Sequence, residues 1–463
     1  MIPLFDPLDP ADAQQRQVSL AAVGRAMLRR GEATAALAPL GVAAAACPGD
    51  PALLLDLAVA QHLAGDLVGA MARYREVLAL APGDAGACNG LGALLLRQGD
   101  LSGAEALLRR ALTLDPGMPE ALNNLARLAS WDLRLGEAIR LLDAALASRP
   151  NFSAARWTRA MARLQAGDMP GGWDDFEARW SLSEVGPRPT IPRPIWDGRP
   201  LTGRSLLLQP EQGLGDTLQF ARYAPLLAAR GGQVVLGVQP ALKRLMRSLE
   251  GPGVTVVACG EVLPPIDYTL PLLSVPRVLR QGLGDIPAAT PYLGAEPAAV
   301  ARWRRRIGHG GKAGLAVGLV WAGNPRHSND ANRSLAPARL APLAGIPGVR
   351  LFSLQCGPGR CVAPPLPGLV DIAENLEDFA ETAAALTALD LLISVDTAPL
   401  HLAGALGRPA WALLPAVPDW RWLLGRADSP WYPSLRLFRQ PKPGDWEAVV
   451  AEVVVALRRP GGA

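Results

Sequence analysis

Asp396 and Thr397 form a polar turn between the apolar run 388–393 and a helix of small residues that runs from Pro399 to Leu406 and stops at Gly407 and Pro409. A second apolar run, Ala410 to Leu414, follows. This is a strand, turn, helix and strand, one unit of a doubly wound α/β sheet, with its turn at the carboxyl end of a strand, where such sheets bind ligands. The free amides of the helix N-terminus, with Asp396 and Thr397 beside them, make a seat for an anionic group. The same two residues would equally serve as a plain helix cap. A second turn of this kind, Gln209-Pro210-Glu211-Gln212-Gly213-Leu214-Gly215-Asp216-Thr217, follows the apolar run 206–208. Gly213 and Gly215 permit a tight turn and close backbone approach, and Asp216 or Thr217 begins a helix. A third loop, 322–334, follows the strand-like run 316–321 and carries Asn324, Arg326, His327 and Arg333. An arginine fork there can donate two hydrogen bonds to a phosphate, or simply be solvated. Gln355, at the end of the run 350–355, would face the same cleft in a regular topology.

These turns require a scaffold of alternating strands and helices. Strands are expected at 206–208, 233–238, 254–258 and 267–272, with a helix from Pro240 to Leu249, and later strands at 316–321, 350–355, 388–393 and 410–414. Alternation of this kind argues for parallel sheets. The run Trp303-Arg304-Arg305-Arg306 reads as a solvated helix face.

The first third of the chain follows another rule. Gly31, Gly65, Gly99 and Gly167 fall on a period of 34 residues, with Leu133 in the register that lacks its glycine. Small residues recur in phase at Gly24, Ala58, Gly92, Ala126 and Ala160, then at Ala36, Ala70, Ala104 and Ala138, and prolines at Pro48, Pro82, Pro116 and Pro150. Such columns are the signature of tetratricopeptide repeats, helix pairs that bury their apolar faces only by stacking into a superhelix. Five units are expected, near 17–50, 51–84, 85–118, 119–152 and 153–186, with a distorted turn at Leu133. A superhelix of this type usually holds a segment of another protein, and Asn89, Asn123 and Asn124 lie on first helices where they can face that groove or remain surface residues. The expected domains are the repeats at 1–186, a Pro-rich connector at 187–200, and α/β halves at 201–300 and 301–463.

Composition narrows the partners. Forty-six basic and 42 acidic residues leave a net charge of +4, which marks neither a nucleic-acid binder nor a membrane-surface protein. The five cysteines form no C-x-x-C pair or disulfide framework, which suits a reducing compartment. The start, Met1 to Asp6, is unlike a secretory signal, and no uncharged apolar run reaches membrane-spanning length. A cytoplasmic location is therefore expected. No D-x-D and no histidine pair at ligand spacing is present, so no metal and no cofactor is expected.

The stretch from Asp396 to Pro409, D-T-A-P-L-H-L-A-G-A-L-G-x-P, resembles the carboxyl-terminal motif of the ADP-heptose:lipopolysaccharide heptosyltransferase superfamily. Together with W-D-G at 196–198, E-Q-G-L-G-D-T-L-Q-F at 211–220 and the Trp/Pro-rich stretch 418–433, it is similar to glycosyltransferase domains fused to tetratricopeptide repeats, flagellin glycosyltransferases among them. The resemblance implies a GT-B architecture, two Rossmann-like domains facing a cleft, and an inverting, metal-independent transfer of sugar from a nucleotide-sugar to a hydroxyl of a protein recruited by the repeats, flagellin being the acceptor it suggests. Asp216 would be the general base. Gly213, Gly215, Asn324, Arg326, Arg333, Gln355, Asp396, Thr397 and His401 would hold the donor, with Arg333 where the family tends to have a lysine. Trp420 and Trp422 would flank a base or sugar, or pack between domains. Transfer to a lipopolysaccharide or capsule intermediate, and a scaffold whose transferase half has lost its chemistry, are the alternatives.

Overall fold

The computed structural model of the protein describes residues 10–182, 186–188, 191–308, 314–327, 329–361 and 366–459, with side chains from residue 19 onward. The expectations for residues 1–6, Pro189 and Ser328 lie outside them. The chain divides into two compact units, 1–159 and 160–463.

The first unit is a stack of helix pairs: α1 (Pro10–Arg29) with α2 (Ala33–Ala46), α3 (Pro51–Ala64) with α4 (Leu67–Leu80), α5 (Ala85–Gln98) with α6 (Leu101–Leu114), and α7 (Pro119–Trp131) with α8 (Leu135–Ser148). The phased small residues mark where helices touch. A Cβ on Gly24 would stand 2.5 Å from Leu40, and Ala58 and Ala126 in the same column are fully buried, as are Ala36, Ala70, Ala104 and Ala138 in the second column. Aspartates cap many helix starts: Asp50, Asp66, Asp84 and Asp100 each accept a backbone N–H of the first turn. Between paired helices Gly31, Gly65 and Gly99 take φ of 77°, 89° and 84°, the left-handed stop that lets the next N–H close back on the helix.

Leu133 corrects the expectation of a distorted turn. It adopts φ 57°, and the Arg134 N–H reaches Ala129 O at 2.8 Å, equivalent to Asp66 N–H on Gln61 O at 2.9 Å. The stack imposes the turn, and the side chain bears the strain.

The second unit begins within α9 (Ser153–Ala166), ahead of the Pro-rich stretch where the sequence suggested a boundary. The reason lies in α10 (Met169–Phe176) and the turn after it. Trp173, 1% exposed, meets Phe220 and Trp420 edge-to-face at 6.1 and 5.2 Å. Arg179, with no exposed surface, donates to both oxygens of Glu211 at 2.8 and 3.0 Å and to Ser274 Oγ at 2.8 Å. The fifth repeat's second helix is thus built into the α/β unit.

Two parallel sheets follow. In the first, the order is β3 (Val254–Ala258), β2 (Gln233–Val238), β1 (Ser205–Gln209), β4 (Tyr268–Pro271). The helices α11 (Leu214–Phe220), α12 (Tyr223–Ala228), α13 (Lys243–Met246) and α14 (Val275–Val278) connect or follow its strands. The long helix α15 (Pro297–Ile307) buries Trp303 and leaves Arg304, Arg305 and Arg306 in solvent, as expected. The second sheet has the order β10 (Leu435–Arg439), β9 (Ala410–Leu414), β8 (Leu391–Val395), β5 (Leu315–Val320), β6 (Val349–Ser353), β7 (Val370–Asp371). With it go α16 (Asp330–Arg333), α17 (Phe379–Ala388), α18 (Ala398–Ala405) and α19 (Trp446–Leu457). Val317, Leu319, Leu391, Ile393, Trp411 and Phe438 build its core with Val449, Val450 and Val453 of α19. Strand order reverses between β1 and β4 in one sheet and between β5 and β8 in the other, so loops at the carboxyl ends of β1, β5 and β8 stand at switch points. Among the described residues no helix is long and apolar enough to cross a membrane.

A leucine held at positive φ costs about 1–2 kcal/mol, and a glycine returns part of that as unfolded-state entropy. Leu133→Gly is therefore expected to stabilise the repeats by up to ~1 kcal/mol, and Gly99→Leu to destabilise them by about 1–2 kcal/mol. Urea unfolding followed by helical circular dichroism checks the opposite signs.

Candidate functional site

The site is built where α11 and α18, the helices behind β1 and β8, meet end to side. A Cβ on Gly215 would lie 3.1 Å from His401 Cδ2 and 3.6 Å from Ala398 Cα, so the glycine permits the approach. Further along α18, a Cβ on Gly404 would stand 2.4 Å from the Tyr432 ring. The G-x-G and D-T motifs, about 180 residues apart in the chain, are thereby neighbours.

Asp216 is engaged at both oxygens. Its Oδ2 accepts the Gly213 N–H at 2.8 Å, closing the turn, and its Oδ1 accepts Arg421 Nη2. Arg421, 9% exposed, also donates to Gln219 Oε1 at 2.6 Å and to Asp419 Oδ1 at 2.9 Å. Each Asp216 oxygen keeps a second lone pair. The helix thus starts earlier than the sequence suggested, with Gly213 at its N-cap and Asp216 closing the cap from within the first turn, and any proton acceptance coexists with that role.

Asp396 and His401 face each other from α18's first turn, 3.7 Å apart. Burial and the nearby Asp419 push the Asp396 carboxyl up to about 6, against the pull of the Trp422 side chain, Arg421 and Arg333. Burial drives His401 well below its ordinary value, and Arg421, Arg222 and Arg333 act in the same direction. The imidazole is thus neutral at pH 7, and its approach to Asp396 is no salt bridge. It shares a hydrogen bond between Nδ1 and Tyr432 Oη at 3.0 Å and stacks on Trp422 at 5.5 Å. Thr397 occupies the N-cap of α18 without capping it; its hydroxyl turns to Val395 O at 3.2 Å and Ser394 Oγ at 3.0 Å.

From the loop after β5, Arg333 donates to Asp330 at 3.2 Å, and its guanidinium lies over Gly323, where a Cβ would be 2.5 Å from it. Its charge is felt at Asp396, His401 and His327. His327 is lowered by burial first and then by Arg333, while Asp419, Asp330 and Asp216 oppose the shift. Asn324 and Arg326 are exposed, and the Asn324 side chain accepts the Arg326 N–H at 3.0 Å.

Gln355 is the correction. It is buried, its Oε1 accepts the N–H groups of Trp321 and Ala322 at 3.0 and 2.9 Å, and its Nε2 donates to Ala322 O and Cys356 O at 3.1 and 3.0 Å. Its whole amide serves the β5 loop, leaving nothing for a ligand. Trp420 and Trp422 are both buried: Trp420 meets Trp173 and Trp431 edge-to-face, and Trp422 stacks on His401 beside Asp396. Missed as site residues were Arg421, Asp419, Gln219 and Tyr432. A signal existed for two of them: Asp419 and Arg421 lie in the loop after β9, at the same carboxyl edge as the other loops. Among the described residues no group of three or more His, Cys, Asp or Glu side chains is placed to hold a metal ion.

For Asp396 the sign of the pH dependence is fixed. A carboxyl raised from 3.8 to about 6 disfavours the charged form in the folded state, so the penalty is absent below the lower value and complete above the upper. Asp396→Asn is expected to gain on the unsubstituted protein as pH rises between these values, by on the order of 1–3 kcal/mol. Thermal unfolding at about pH 4.5 and about pH 7.5 checks this; a variant that loses ground at the higher pH would show that ionised Asp396 is held favourably by Arg333 and Arg421.

Residues 61–110 and 95–164 match the model of the tetratricopeptide repeat family, and the chain carries these repeats. Over 341 residues the chain is 31% identical to Protein FlbA of Caulobacter vibrioides, which covers 67% of this chain. The chain spans 56% of the length of that curated relative. Among solved structures it is similar to a tetratricopeptide-repeat protein of Thermus thermophilus at 21% identity, with 36% of this chain and 92% of that one covered and a TM-score of 0.33. MamA of Desulfovibrio magneticus is similar at 22% identity, with 36% and 97% covered and a TM-score of 0.30.

Proposed function

We propose that the α/β unit is a GT-B glycosyltransferase that moves a sugar from a nucleotide-sugar to a hydroxyl of a protein captured by the repeats. The observation that carries the reading is the meeting of the Gly213–Asp216 turn with the Asp396–His401 turn, each behind a parallel strand of a different sheet, with Arg421 and Arg333 beside them. In this reading the two sheets are the Rossmann-like halves. The donor's phosphates sit on the uncapped start of α18, where helix amides favour negative charge, with Arg333 and Arg421 as cationic partners. As the acceptor oxygen attacks the anomeric carbon, Asp216 takes its proton, the bond from that carbon to the phosphate oxygen breaks, and the nucleotide leaves with the electron pair and its charge neutralised by the arginines. Drawn toward phosphate, Arg421 would release Asp216 Oδ1 for the proton. Neutral His401 and Asp396 would then orient sugar or ribose hydroxyls. No metal enters this scheme, and flagellin is the first acceptor to examine.

One observation favours a second reading. The engagement of both Asp216 oxygens suits a scaffold in which this turn is purely structural.

The two readings separate by experiment. Asp216→Asn is expected to lower turnover by about 10²–10⁴-fold with nucleotide affinity little changed. Arg333→Ala is expected to weaken nucleoside-diphosphate binding roughly tenfold, since charge-assisted contacts of this kind contribute on the order of 1.5–3 kcal/mol. Calorimetry with nucleotides and intact-mass analysis of flagellin incubated with nucleotide-sugars read both. Full turnover in Asp216→Asn removes the base, and absence of any nucleotide binding leaves the scaffold.

A further inference from the structure

We propose that the first-helix side of the repeat unit, along Leu63, Arg97, Arg127 and Trp131, is a docking surface for an acidic segment of a partner protein that carries large apolar residues beside its carboxylates. The inference rests on the repeat unit alone. It deepens only the part of the proposed function in which the repeats capture a protein, and it holds whatever chemistry the α/β unit performs.

The period of 34 places Leu63, Arg97 and Trp131 at one register of α3, α5 and α7. Side chains bridge first helices on this side: Arg25 of α1 pairs with Asp56 of α3 at 2.5 Å, and Asn124 of α7 donates to Asn89 of α5 at 2.9 Å. Leu63 is 64% exposed and Trp131 43%, large apolar surfaces on either side of the exposed Arg97. Isolated exposed apolar residues need no explanation; here two share one register of the repeat and flank a cation.

Charge is the second observation. Acidic side chains on these helices are already matched: Asp56 with Arg25, and Glu120 with Arg149. Arg97 and Arg127 make no ion pair or side-chain hydrogen bond among the described residues. Arg127 is half-buried, and both burial and Arg97 press against its charged form. His62 on α3 is likewise lowered by burial and by Arg97. Arg97 and Arg127 thus feel one another without a local counter-ion, and His62 beside them is kept from protonating. A carboxylate laid across them would relieve that repulsion and gain charge-assisted hydrogen bonds from guanidinium.

The third observation is a buried acceptor. Asn123, one turn before Arg127 and 7% exposed, has a side-chain oxygen with no hydrogen-bond donor among the described residues. Unpaired polar atoms of this kind are rare in folded proteins, and a turn of the amide toward the surface would offer it to a backbone N–H of an extended peptide. The same arrangement explains the asparagines on first helices: Asn89 and Asn124 bond each other, and Asn123 is the one left to bind.

The test uses the full chain and three fluorescein-labelled peptides in a Gly/Ser background, with a central Leu-Glu-Glu-Leu, Leu-Gln-Gln-Leu or Leu-Lys-Lys-Leu. Anisotropy titration is expected to show the glutamate peptide binding at least about tenfold tighter than the other two, and losing affinity as salt rises from about 50 to about 300 mM. Arg97→Glu, at an exposed position, should weaken it by about threefold or more, and Arg97→Glu with Arg127→Glu should reverse the preference toward lysine. Equal binding of the three peptides, no binding of the glutamate peptide, or indifference to Arg97→Glu overturns the proposal. None of these readouts depends on sugar transfer, so failure of the docking surface and failure of the transferase reading are separate results.

Discussion

Everything in the α/β unit's site depends on how closely α11 and α18 can approach. Gly215 admits the His401 ring to where a Cβ would stand 3.1 Å from it, closer than side chains ordinarily pack, and Gly404 admits the Tyr432 ring to where a Cβ would stand only 2.4 Å away. A glycine stands at each of these contacts: Gly215 of α11 against α18's own His401, and Gly404 of α18 against Tyr432. Once it is there, His401 is stacked between Trp422 and the edge of α11, Tyr432 fixes its Nδ1, and Asp396 is drawn out of water. Burial then sets the electrostatics: it keeps the imidazole neutral and raises the carboxyl to about 6, so that at pH 7 a neutral ring stands beside a carboxylate that gives up its proton less readily than in water.

Arg421 is the charge that organises the remainder. It joins a loop of the second sheet to the first turn of α11 through Asp216 and Gln219, and it holds Asp419 on its own loop. Removing one partner from a buried pair is far costlier than the pair itself is worth, which makes such an arrangement an effective way to fix geometry. The Arg179–Glu211 pair performs a parallel task one turn earlier in the chain. Burial pushes the Glu211 carboxyl up, Arg179 opposes it, and the loop after β1 is tied to the segment that leaves the repeats. Both arginines anchor the same loop, from its two ends.

Much of this was legible in sequence, for identifiable reasons. Strands β2, β3 and β9 fall on their expected residues because each is a short apolar run closed by turn-formers. The repeats were legible because the same local interactions recur every 34 residues, so weak signals add. Within the site, the two turns were found from their glycines and polar residues, but their meeting was not, since nothing local records a contact between residues 215 and 401. Gln355 misled for a related reason. Its place at a strand's carboxyl end is right, yet an amide has two donors and an acceptor, and the exposed backbone of the β5 loop used them first. Arg421 looked like any loop arginine until the fold supplied three acceptors around it.

Leu133 shows the same division between local rule and tertiary demand from the other side. The glycine rule is local: positive φ is cheap only without a Cβ. The turn itself is set by the stacking of α7 on α8, where Ala126 and Ala138 are fully buried and Leu142 packs without exposed surface. Shifting the turn would open that interface, at a cost of several buried side chains, whereas one leucine in the left-handed region costs about 1–2 kcal/mol. Opening the interface is the greater loss, so the repeat keeps its geometry with the wrong residue. Period therefore outlasts identity in such an array: the columns that bury side chains must be kept, while the turn column tolerates a lapse. A register that lacks its glycine carries strain, and the unbroken hydrogen bond from Arg134 to Ala129 is the sign that the stack has absorbed it.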